Sequence, residues 1–68
     1  MTEYGYLAMY NGKEVEIRGT DITLLEARKQ AIEQLQKMVH RRKVIKPWDV
    51  SIMLAEKDGE PVIHLPMF

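Results

Sequence analysis

The sequence contains no cysteine. Disulfides, the staple by which many small domains offset a thin core, are therefore excluded. A thiolate metal site falls with them. The two histidines, His40 and His64, stand far apart without a carboxylate at ligand spacing, so no metal ligands and no cofactor are assigned. No apolar run approaches the roughly 20 residues that span a bilayer. Met1-Thr2-Glu3-Tyr4 leads into strand-like sequence rather than a basic region and an apolar run. These absences lead us to expect a cytoplasmic protein with no membrane partner. Ten basic residues balance ten acidic ones, which argues against a globally electrostatic nucleic-acid binder and leaves only local patches. Also missing are G-x-S-x-G, a P-loop, H-E-x-x-H and a glycine-rich dinucleotide fingerprint. A chain of 68 residues is one domain that buries only about 60% of its unfolded surface. Such a domain rarely encloses a pocket of about 300 Å³ or more. No catalytic residue is assigned, and the expectation is a non-enzymatic protein.

What is present is punctuation and periodicity. Asn11-Gly12 separates an aromatic and apolar run over 4–10 from the alternating run 13–18, the strongest short hairpin signal. A two-residue loop pairs Tyr10 with Lys13, Ala8 with Val15 and Tyr6 with Ile17, leaving Leu7 and Met9 on the opposite face beside Glu14, Glu16 and Arg18. That register is favoured. A three-residue bulged loop would instead bring Leu7 and Met9 onto the Val15 and Ile17 face.

Thr23-Leu24-Leu25-Glu26 is a capping box, with Ile22 before it as a hydrophobic staple onto Ala27. Apolar residues then recur at three and four through Leu24, Ala27, Ala31, Leu35 and Met38, predicting a helix from residue 24 to about 42. Its basic end, His40 to Lys43, suits the negative end of the helix dipole. Past Pro47, residues 50–56 read as a strand, Asp58-Gly59 as a second tight turn, and 62–65 as a final strand. Pro61 then falls opposite Glu56 at a non-hydrogen-bonded position on an edge strand.

The fold class predicted is α+β, with order β-β-α-β-β: a four-stranded antiparallel sheet with one helix packed on one face. The expected core is Tyr6, Ala8, Val15, Ile17, Ala27, Ala31, Ile32, Leu35, Met38, Ile52, Leu54 and Ile63. One helix covers one sheet face, so the other must meet water or a partner. That face carries Leu7, Met9, Met53, Ala55, Val62 and His64, more apolar than a solvated face needs. A second candidate surface is the basic patch Lys37, His40, Arg41, Arg42, Lys43 and Lys46 with Trp48, which could hold phosphates and stack a base. The plainer reading of the same residues is a helix end stabilised by cations, with Trp48 covering the core.

The run 50–64, with Ala55-Glu56-Lys57-Asp58-Gly59 at its centre, together with the Asn-Gly hairpin and the Glu26-Ala27-Arg28 helix, resembles short proteins of tailed bacteriophages and prophages. The resemblance covers most of the chain and carries no residue roles. It implies a phage accessory protein acting in the bacterial host cytoplasm on a host or defence protein. Three readings result. The first is a protein-binding module using the open sheet face, the outer edge of the last hairpin, or both. The second is a self-assembling structural or small-ligand-binding homo-oligomer, with that face buried in a homodimer. The third is nucleic-acid binding through the basic patch.

Overall fold

The computed structural model describes residues 1–40 and 42–62. It contains β1 (Glu3–Tyr10), β2 (Lys13–Thr20), α1 (Leu24–Met38), a 3₁₀ turn (Pro47–Asp49), β3 (Ser51–Lys57) and β4 (Glu60–Pro61). The strands form one antiparallel sheet in the order β2-β1-β3-β4. This is the predicted α+β, β-β-α-β-β arrangement.

Turn chemistry sets both hairpins. Asn11 and Gly12 have φ of 50° and 82°, and Asp58 and Gly59 have 51° and 81°. Positive φ at both central positions is what a type I′ turn needs to match strand twist. The first hairpin takes the two-residue register: Tyr10 faces Lys13, Ala8 faces Val15 and Tyr6 faces Ile17. In the second, Lys57 faces Glu60 and Glu56 faces Pro61. The Val62 N–H donates to the Ala55 carbonyl at 2.9 Å. The Glu56–Pro61 pair between these is non-hydrogen-bonded, so proline's missing N–H costs no ladder bond. Residues 63–65 of the predicted last strand lie outside the described residues.

The helix starts where the capping box says. Thr23 is extended, and its hydroxyl accepts from the Glu26 N–H at 3.2 Å. Ala27, Ala31 and Leu35 are buried against the sheet, the two alanines allowing close approach. With them Tyr6, Ala8, Tyr10, Val15, Ile17, Ile22, Ile45 and Val50 form the core, and Ile32, Ile52 and Leu54 pack at its margin. Full burial of a side chain such as Leu35 or Ile17 contributes about 1.5–3 kcal/mol. The Tyr6 hydroxyl, buried with its ring, donates to the Ile22 carbonyl.

Two expectations fail here. The helix ends at Met38, not near 42, and Met38 is 53% exposed rather than core. The chain turns away at Val39 because Ile45 must reach the core, and Gln36 holds it there. The Gln36 side-chain carbonyl accepts from the Ile45 N–H at 3.1 Å while its amide donates to the Lys43 carbonyl. Ile63 of the expected core lies outside the described residues.

Candidate functional site: the open sheet face

Pairing and strand alternation fix which residues share the face away from α1. Across β2, β1 and β3 it carries three rows. Glu14 stands beside Met9 and Ser51, Glu16 beside Leu7 and Met53, and Arg18 beside Gly5 and Glu56. Glu3 follows at the β1 end, opposite Thr20.

The first two rows bring together Leu7, Met9 and Met53, as the sequence predicted. Met9 and Met53 are 42% and 43% exposed. With Ser51 and Ile52 these residues border a shallow depression of about 70 Å³. That is far below the ~300 Å³ of a small-molecule pocket. A ligand here must be broad and lie over the face rather than enter it.

The third row departs from simple alternation. The β1–β3 register shifts between Gly5 and Tyr6, so that Tyr6 faces Leu54 while Gly5 faces Glu56. Ala55 is the extra residue of a β-bulge. The bulge turns Glu56 onto the open face, where the Arg18 guanidinium meets both carboxylate oxygens at 2.6 and 3.0 Å. Arg18 also lies 3.6 Å from Glu16. Its pKa is pushed above the ordinary value, first by hydrogen bonding to Glu56 and then by the charges of Glu56 and Glu16. Gly5 makes this bridge feasible. A Cβ there would stand 3.2 Å from the Glu56 Cβ and 3.8 Å from the Arg18 Cγ.

The other predicted face residues fare unequally. Ala55 is half-buried in the bulge, and Val62, half-buried, follows β4. His64 lies outside the described residues. Alternation along β3 placed Ser51 on the face correctly, whereas sequence reasoning missed Glu56 and Glu3. No local signal in Leu54-Ala55-Glu56 announces a bulge, whereas Glu3 could have been found by extending the alternation of β1 by one step.

The basic patch is not a helix end. Only Lys37 lies in the last turn of α1. His40, Arg42 and Lys43 belong to the following loop, Lys46 precedes the 3₁₀ turn, and Trp48 sits within it. This corrects the expectation of a cationic helix C-terminus, because the helix stops before most of its cations. Arg41 lies outside the described residues. Lys43 is held over the Tyr10 ring, its ammonium 5.9 Å from the centroid. The His40 Nδ1 accepts from the Arg42 N–H at 3.3 Å. Trp48 is 79% exposed, so it does not cover the core.

Among the described residues no three His, Cys, Asp or Glu side chains gather at metal-binding spacing. No helix among them is long and apolar enough to cross a membrane. No family model matches the chain, and no curated protein or solved structure matches it either.

Proposed function

We propose that this chain is a non-enzymatic protein-binding module whose docking surface is the open sheet face. The observation that carries the reading is the cluster of exposed Met9 and Met53 beside half-buried Leu7, on a sheet of which, among the described residues, only the other face is covered by a helix. Contiguous apolar surface rimmed by charge marks interaction sites, and methionine side chains adapt to a partner's shape. The resemblance to tailed-bacteriophage proteins supports a setting in the bacterial cytoplasm, with a host or defence protein as the target.

The test is affinity capture from nuclease-treated bacterial lysate by the native chain and by the Met9→Ser/Met53→Ser variant. A stoichiometric protein retained by the first and lost by the second is the expected result. Equal retention by both would refute this docking face. Light scattering on the purified chain separates this reading from the self-assembled one, in which the same face would be buried in a stable homodimer.

A second reading has its own observation. Trp48 projects from a loop that also exposes Arg42, Lys43 and Lys46, a combination suited to a base and its phosphates. Binding to single-stranded nucleic acid through this loop would weaken steeply between 50 and 200 mM salt. A salt-independent constant would remove it.

A further inference from the structure

We infer that the segment taken by the open sheet face is a basic amphipathic helix of the partner, laid along the strands as the sheet's missing second layer. This rests on the protein-binding reading above and adds the partner's chemistry.

The charge on the face is one-sided although the chain's formal charge is zero. Among the described residues, Glu3, Glu14, Glu16 and Glu56 share it with a single cation, Arg18, leaving three negative charges in excess. Arg18 is itself engaged by Glu56. Glu14 and Glu16 therefore flank the apolar cluster on the β2 side, Glu16 partly compensated by Arg18, which lies 3.6 Å away and is shared with Glu56. An apolar, methionine-bearing surface with an acidic rim complements a segment that has an apolar stripe and flanking lysines or arginines.

Geometry favours a helix as that segment. Glu14 and Glu16 are two residues apart on one strand face, as are Leu7 and Met9, so each pair repeats at about 6.8 Å. Residues four apart on a helix advance by about 6 Å. A helix running along β1 can therefore set two lysines against Glu14 and Glu16 and two leucines against Leu7 and Met9. An added strand would bind a sheet edge, β2 or β4, instead and leave Leu7, Met9 and Met53 in water. A second copy of this chain packed face to face would oppose two surfaces that each carry excess negative charge.

The experiment uses three synthetic peptides of about 18 residues. One has leucines at i, i+3/i+4 and i+7 flanked by lysines, the second replaces those lysines with glutamates, and the third is a scramble of the first. Methionine methyl NMR reads the site, with Met38, on the helix side, as internal control. The lysine peptide should shift Met9 and Met53 but not Met38, and should bind at least about tenfold more tightly than the other two. Glu14→Lys/Glu16→Lys should reverse the preference toward the glutamate peptide. Both positions are exposed, and a thermal melt confirms that the variant folds. Equal binding of all three peptides, no binding of any, or shifts confined to Met38 would overturn the inference. If the cellular partner is lost by Met9→Ser/Met53→Ser yet held undiminished by Glu14→Lys/Glu16→Lys, the face stands and the basic helix falls. If Met9→Ser/Met53→Ser holds it undiminished, the docking face itself falls.

Discussion

Asp21 and Asp58 stand on opposite sides of β1 and close its start with the same pair of hydrogen bonds. The Asp21 N–H donates to the Thr2 carbonyl at 2.7 Å, and the Thr2 N–H donates to the Asp21 Oδ1 at 2.9 Å. Asp58 repeats the arrangement with Glu3 at 2.7 and 2.9 Å. Both aspartates are left-handed, with φ of 52° and 51°. Such a residue swings its own carbonyl out of the ladder, and the side-chain oxygen replaces it as acceptor. Asp and Asn tolerate that backbone better than other non-glycine residues.

The two positions should therefore accept asparagine and reject alanine. Asp21→Ala and Asp58→Ala each lose one bond and strain the backbone, at about 1–2 kcal/mol. For a domain of this size that corresponds to a Tm fall of roughly 4–16 °C. The asparagine variants should stay within about 0.5 kcal/mol of the native chain. An alanine variant melting with the native chain would show that these bonds contribute nothing.

Gly5 should tolerate no side chain without cost. A Cβ there would press on the Glu56 Cβ at 3.2 Å, an atom fixed to the β3 backbone. Overpacking of this kind costs about 1–3 kcal/mol, offset by about 0.4–1 kcal/mol from the stiffer unfolded chain. A net loss of about 1 kcal/mol in Gly5→Ala, read from urea unfolding, is expected. A gain in stability would mean that the bulge at Ala55 relaxes.

Leu35 and Met38 sit one helical step apart and should respond very differently. Leu35 is fully buried and Met38 mostly exposed. Leu35→Ala should cost about 2–5 kcal/mol, enough to populate the unfolded state of so small a domain. Met38→Ala should stay within about 0.5 kcal/mol. Comparable losses would return Met38 to the core.

Gln36→Ala should release the loop rather than unfold the domain. It removes an acceptor from the Ile45 N–H and a donor from the Lys43 carbonyl, a loss of about 1–3 kcal/mol. Amide exchange at Ile45 should accelerate at least about tenfold relative to exchange at Ala8 in the sheet centre. Unchanged exchange would assign the loop's order to Ile45 burial alone.

Much of the fold was legible because its signals are local. Asn11-Gly12 and Asp58-Gly59 permit positive φ at adjacent positions, and so they fix both hairpin registers. Thr23 fixes the helix start through one side-chain bond. Leu7, Met9 and Met53 follow from alternation once the first register is known, which is why the centre of the candidate site could be read directly. Its rim could not. Glu56 reaches the face only because β3 bulges at Ala55, and that depends on Gly5 and Arg18, roughly 38 to 51 residues upstream.

What the sequence determined by itself were the elements, their order, the turn geometry and the apolar stripes, since each depends on neighbours within a few residues. Only the tertiary structure decided where the helix stops, which cations leave it, and how acidic the open face becomes. Helix periodicity in this chain runs on past Met38. The chain breaks from it because burying Ile45 and Val50 under the helix, secured by Gln36, favours a loop that no local preference specifies.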